Sequence, residues 1–161
     1  MRLLALVLLL AFPFVDIGTS AVTLTGDTAP ASFEGTAYFV PGMEGMGVVA
    51  LATAPLDGSS WAHEDAPFSY VEVVAFATPA EGAIEVGSDA RVTVYHWDDH
   101  DEGPAFFAMA DSGTLTLTSV SADAVTGTLS AALTTYDDAG NASPVTIEAT
   151  FSAVPGNVPS P

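Results

Sequence analysis

Seven consecutive residues, His96-Trp97-Asp98-Asp99-His100-Asp101-Glu102, concentrate the coordinating chemistry of this chain. They hold two of its three histidines and four of its carboxylates. Neutral imidazoles beside carboxylates suit zinc, copper or nickel, whereas carboxylates and carbonyls alone suit calcium. The ligand set expected for a divalent metal is His96, Asp98, His100 and Asp101. His63, in the loop Trp61-Ala62-His63-Glu64-Asp65, joins them if the two loops meet at one end of the fold. Alternation along a strand puts His96 on the side of Val92 and Val94 and leaves His100 on the loop, so a shared ion requires the loop to fold back. The competing expectation is a solvated acidic loop and no cofactor.

Other candidates are smaller. Asp137, Asp138 and Asn141 form an oxygen-rich turn, but the ligand run and closing Glu of an EF-hand are missing. A hairpin turn with Gly140 or Asn141 in a left-handed conformation accounts for the same residues. Gly42-Met43-Glu44-Gly45-Met46-Gly47 is glycine-rich but has no Lys and no following helix, which excludes a phosphate cradle. Met43 or Met46 is expected to tuck into the core. Tyr95 and Trp97 share a strand face with Arg91 and Thr93, which suits either stacking on a sugar ring or packing at a sheet edge. Neither a G-x-S-x-G elbow nor an H-E-x-x-H helix occurs. A non-catalytic module is therefore expected, with a hydrolase using loop carboxylates as the alternative.

These residues sit in an acidic, cation-poor background. Arg2, the apolar run Leu3 to Phe12 and the small residues Thr19-Ser20-Ala21 have the layout of a secretory signal peptide, too short for a membrane span. Cleavage after Ala21 leaves 140 residues with 19 carboxylates, one cation (Arg91) and a net charge of −18. The acid content is ordinary; the missing cations make the imbalance. One arginine cannot neutralise a run of phosphates, so nucleic acid is excluded as a partner, and an anionic membrane surface would repel the chain. Arg91 is expected in a structural ion pair. Cysteine is absent, which excludes thiolate metal sites, a cysteine nucleophile and lipidation at a cysteine. No second apolar stretch of membrane length follows. The expected location is periplasmic or secreted, with an envelope protein or a glycan left open as partner.

The text from residue 22 onward reads as strands. Leu115 to Thr118, Val125 to Thr134 and Val145 to Ser152 alternate apolar and hydroxyl residues, the pattern of half-buried antiparallel strands. Further strands are expected near 22–25, 32–40, 46–54, 68–77, 83–86, 90–97 and 105–110, and no stretch has a helical period. Residues 71–77 are nearly all apolar, which predicts a central strand covered on both faces. The expected organisation is a signal peptide over 1–21, one all-β antiparallel sandwich over 22–154 with a β-barrel as the alternative, and a disordered Pro-rich tail over 155–161. Val154 to Pro161 is expected not to pair as a strand.

The succession Gly87, Ser112-Gly113-Thr114-Leu115-Thr116-Leu117, Val125-Thr126-Gly127-Thr128-Leu129-Ser130 and Thr150-Phe151-Ser152-Ala153 resembles a bacterial exported β-domain family, often lipoproteins, that ends in such a meander. The similarity covers roughly residues 32–154, with the last 45 the most specific part. The chain departs from the pattern in lacking the lipoprotein cysteine and in having Leu129 where an aromatic is commoner. The resemblance implies a β fold and export and brings no activity with it. Asp138 to Pro144 also resembles the last hairpin of bacterial immunoglobulin-like adhesin domains.

Overall fold

A computed structural model of the chain describes residues 17–41, 45–56, 67–99 and 103–156. Among them the structure is all-β, with nine strands and no helix. They are β1 (Thr19–Thr25), β2 (Phe33–Pro41), β3 (Gly47–Ala52), β4 (Phe68–Ala75), β5 (Gly82–Val86), β6 (Ala90–Trp97), β7 (Phe106–Val120), β8 (Val125–Tyr136) and β9 (Ala142–Pro155). The alternation of Val, Leu, Ile and Phe with Thr and Ser that defines these strands in the sequence also defines their two faces. Along β8 and β9 the alternating set Val125, Leu129, Ala131, Leu133, Val145, Ile147, Ala149, Phe151 and Ala153 is buried, and most of the hydroxyl residues between them are exposed.

The strands hydrogen-bond in a ring that closes on itself. Its order is β1-β2-β3-β4-β6-β5-β7-β8-β9, and β9 pairs with β1 over seven residues, from Thr19↔Ser152 to Thr25↔Thr146. The all-β expectation holds, and the closed pairing is the barrel arrangement kept beside the sandwich. Closure leaves no long unpaired edge, which suits a chain with few charges to guard one. The interior holds the main core: Leu51, Val71, Val92, Leu115, Leu129 and Ile147 are at most 1% exposed.

Two adjustments fit the sequence to the ring. Residues 105–110 and 115–118, expected as separate strands, are one fifteen-residue strand, β7, with register shifts at Ala110/Ser112 and Leu117/Ser119. The first shift moves the buried set from Phe106 and Ala108 to Leu115 and Leu117, an even-to-odd switch that reads in sequence as a break between strands. The first half of β7 then pairs with β6 and the second with β5. At the C-terminal end, Val154 and Pro155, expected not to pair, run parallel to Tyr38 and Phe39 of β2. The Gly156 N–H donates to the Phe39 carbonyl at 3.1 Å, so the extension continues past the proline. Residues 157–161 of the expected tail and 1–16 of the expected leader lie outside the described residues. The expected cleavage point, Ala21, falls within β1, where Thr19 to Val22 are the residues that pair with β2.

Strand β4 is covered on both faces, as its apolar run predicts. Val71 and Val73 face the barrel interior, while Phe68 and Tyr70 join a second cluster with Tyr38, Ala50, Ala52 and Leu56.

Gly113 marks a close crossing with an unusual backbone conformation. Its φ is +154°, and a Cβ there would stand 2.4 Å from the Ser130 carbonyl oxygen and 2.6 Å from the Ala131 Cα. Both obstacles are backbone, so neither yields by a rotamer change. Gly113→Ala should lower the unfolding free energy by about 2 kcal/mol. The outward neighbour Thr114→Ala should stay within about 0.5 kcal/mol of the parent. Urea unfolding followed by tryptophan fluorescence checks both; equal effects would contradict the close-packed crossing.

Candidate functional site

The ring has two ends, and they differ in chemistry. One end carries the segments between β1 and β2, β3 and β4, β6 and β7, and β8 and β9; it therefore holds the histidine-acid stretch. The other carries the segments between β2 and β3, β4 and β5, and β7 and β8. The sequence singled out the first end. The second holds the more developed concavity.

At the first end, His96 is the last inward-facing residue of β6. Its Nδ1 lies 2.8 Å from the Ser69 hydroxyl of β4, and its Nε2 lies 3.1 Å from Asp98 Oδ1. A neutral ring protonated on Nε2 satisfies all three groups, accepting from Ser69 and donating to Asp98. The order Ser–His–Asp is that of hydrolase triads, but the setting differs. Ser69 is only 3% exposed, with its own N–H donated to Thr53 Oγ1 at 3.1 Å, so a substrate carbonyl has no approach to its oxygen. The three residues tie the ends of β4 and β6 together. Of the four expected metal ligands, His96 and Asp98 thus meet, while His100, Asp101 and the auxiliary His63 lie outside the described residues. Among the described residues no three potential ligands cluster.

The outer face of β6 carries Arg91, Thr93, Tyr95 and Trp97, as alternation predicts. Tyr95 and Trp97 stack on one another, with centroids 5.5 Å apart and planes 16° from parallel. Phe68 packs against Trp97 at 5.8 Å and Phe107 against Tyr95 at 5.3 Å. Ring faces that a pyranose would need are in this way turned toward other rings. Arg91 forms the expected ion pair, its Nη2 standing 3.4 Å from Glu72 Oε2. Glu72 is 6% exposed, so the chain's one cation besides Arg2 sits against a buried carboxylate. That buried negative charge is felt nearby. The Tyr70 hydroxyl is pushed well above its ordinary pKa by burial first and then by Glu72 and Tyr95. Tyr95 is raised by burial and Glu72, with Arg91 opposing.

At the second end, the barrel mouth contains an apolar cavity of about 280 Å³. Its walls are interior side chains near the strand ends: Phe39, Val49, Val73, Leu115, Leu117 and Val125. Its rim is Thr78, Pro79, Val120, Ser121 and Ala122. Among the described residues no titratable side chain lines it. The Ser121 hydroxyl is occupied by its own turn, donating to the Ala124 carbonyl at 3.0 Å and accepting from the Ala124 N–H at 3.0 Å. Gly47 lets Pro79 close in over the mouth, since a Cβ at 47 would stand 2.3 Å from the proline Cγ. Met46, expected to be tucked into the core beside this mouth, is instead 39% exposed; Met43 lies outside the described residues. An eight- to nine-strand barrel is wide enough to fill its interior with side chains or to hold one small ligand, and small residues at this end leave the second outcome.

This cavity was not legible as a site in the sequence. Its one trace is size: the inward positions of β3 and β4 nearest this end are Gly47, Val49, Val73 and Ala75, without a large side chain among them. The chain matches no family model, and neither curated proteins nor solved structures yield a match. The geometry alone carries the functional argument.

The oxygen-rich turn at 137–141 has a structural role. Asp137 accepts from the Asn141 side-chain amide and backbone N–H, each at 2.8 Å, and from the Ala139 N–H at 2.9 Å. Gly140 supplies the positive φ of 80°. The Asn141 side-chain bond, then the turn N–H groups, hold the Asp137 carboxyl below its ordinary value. The turn is therefore favoured above about pH 4, and that contribution is lost as pH falls through the lowered value. Carboxyl-carbon NMR titration should place the Asp137 midpoint below the ordinary aspartate value. Asn141→Ala should raise the Asp137 midpoint toward the ordinary range; no movement would show that the side-chain bond is not the cause.

Proposed function

We propose that this is an exported, non-catalytic β-domain that binds a small apolar molecule in the mouth of its barrel. The observation that carries this is the 280 Å³ cavity, walled by side chains of β2, β3, β4, β7 and β8 and lined, among the described residues, by no acid or base. Export is supported by the leader-like start of the sequence, with cleavage near Ala21 and a periplasmic or extracellular destination. No helix among the described residues is long and apolar enough to cross a membrane. The outward faces of β8 and β9 carry Thr126, Thr128, Ser130, Thr146, Glu148 and Thr150, where a lipid-facing barrel would carry apolar residues.

The cavity is roughly twice the 150 Å³ that accommodates a benzene ring, so two fused rings match its volume. 2-Acetylnaphthalene is a suitable probe. It should bind with a dissociation constant on the order of 10–100 μM, given ordinary affinity per atom for a small apolar ligand. Methyl NMR shifts should concentrate at Val49, Val73, Leu115 and Val125. Shifts scattered over the surface, or turnover of ester or glycoside substrates that disappears in Asp98→Asn, would replace the binding module with another function.

A second function, divalent-metal binding through His96, Asp98, His100 and Asp101, is favoured by the 3.1 Å approach of His96 Nε2 to Asp98 Oδ1, a separation compatible with two ligands of one ion. Zinc calorimetry at about 0.15 M salt, where distant charges are screened, separates a site from general attraction to an acidic surface. A site would bind zinc more tightly than calcium and lose that preference in the double variant His96→Ala, His100→Ala. Equal, weak binding of both ions by parent and variant would dismiss it.

A further inference from the structure

Resting on that binding function, we infer that the barrel-mouth cavity discriminates by charge, taking a neutral two-ring-sized ligand and rejecting its isosteric carboxylate. A carboxylate entering the cavity must shed water, and among the described residues it finds no compensating charge there. The walls are hydrocarbon, and the Ser121 hydroxyl is already occupied within its turn. Thr78, at the rim, offers one neutral hydroxyl. An ion left without a partner in such surroundings loses far more than a neutral group of the same size.

A cation that could compensate is also missing from the surroundings. Outside the leader the chain has one, Arg91, and its guanidinium lies against Glu72, whereas the cavity is walled by the inward residues of the neighbouring β4. Binding an anion by recruiting Arg91 would strip the partner from a carboxylate that is 6% exposed. The chain around the rim adds repulsion. Asp123 is adjacent to Ala122 in the same turn as Ser121, and Glu81 follows two residues after Pro79. With a net charge of −18, the field approaching the mouth is negative as well.

2-Acetylnaphthalene and 2-naphthoate form a nearly isosteric neutral and anionic pair, which makes the charge the one variable. The domain with all of β1 retained should bind the ketone at least about tenfold more tightly than the carboxylate near 0.01 M salt, a difference of about 1.4 kcal/mol. Raising salt to about 1 M shortens screening from roughly 30 Å to 3 Å, so the carboxylate should gain affinity and the ketone should not. Thr78→Arg should supply the missing cation and shift the ketone-to-carboxylate affinity ratio severalfold toward 2-naphthoate. Val120→Trp, which fills the rim from a half-buried position, should weaken the ketone at least about tenfold. Near-UV circular dichroism confirms that each variant keeps its tertiary packing.

The outcomes separate the two levels of the argument. Equal binding of ketone and carboxylate by the parent overturns the charge selectivity and leaves the apolar-ligand function standing. A ketone that does not bind at all overturns both. Ketone binding that Val120→Trp leaves unchanged moves the ligand out of the cavity and overturns both as well. If Val120→Trp does not fold, Ala122→Trp on the opposite side of the same turn makes the identical test.

Discussion

Everything in this structure depends on the sheet closing between its first and last strands. Seven residues of β1 lie against β9, and four against β2, so the ring is completed by the segment nearest the N terminus. Once closed, the interior belongs to one set of alternating residues and the exterior to the other. A one-residue slip anywhere in the ring would turn hydroxyl residues inward over a whole strand. The bulge at Ala110/Ser112 is the place where the ring tolerates such a slip, because β7 changes partner from β6 to β5 near there. The cavity follows from the same closure. The mouth is open because β3 and β4 bring only small side chains to it, and Pro79 leans on the backbone of Gly47 instead of on a side chain.

Charge imposes the second constraint. With so few cations, a buried carboxylate can be compensated in only one place, and Glu72 on β4 lies next to Arg91 on β6, the two strands being paired in register along their whole length. Glu72 is buried beside the aromatic face of Tyr70 and Tyr95, while the Arg91 side chain stays about half exposed. The same scarcity leaves the barrel mouth without a counter-ion. One compositional fact thus shapes both the outer face of the sheet and the selectivity of its interior.

Much of the fold was legible in the residues. Val145-Thr146-Ile147-Glu148-Ala149-Thr150-Phe151 states a strand and its inward face without ambiguity, and the apolar run at 71–77 states a strand buried on both sides. Closure was not legible, because alternation tells which face is inward but not whether two distant strands are neighbours. The β7 bulge was read as a gap for the same reason: period two is lost wherever a strand gains a residue. Val154 to Gly156 were misjudged because a proline was taken to end pairing, although a parallel neighbour can be met by the Gly156 N–H beyond it. As for the candidate sites, His96 was correctly placed on the Val92 and Val94 side, and Arg91 in an ion pair. The hydroxyl of Ser69 as the partner of His96 had no sequence signal, since the two are 27 residues apart and joined only by strand register. The cavity had almost none, because it is made by the absence of bulk.

Arg91 has one more consequence, for proteolysis. In the chain beyond the leader it offers trypsin its single cleavable bond, Arg91–Val92. That bond lies inside β6, with Val74 opposite Arg91 and Val73 opposite Val92, so a protease can engage it only after β6 has left its neighbours. The rate at which the protein is cut into two pieces therefore reports how often this one seam of the barrel parts. A molecule nearly devoid of cations has, as a by-product, a built-in gauge of its own opening.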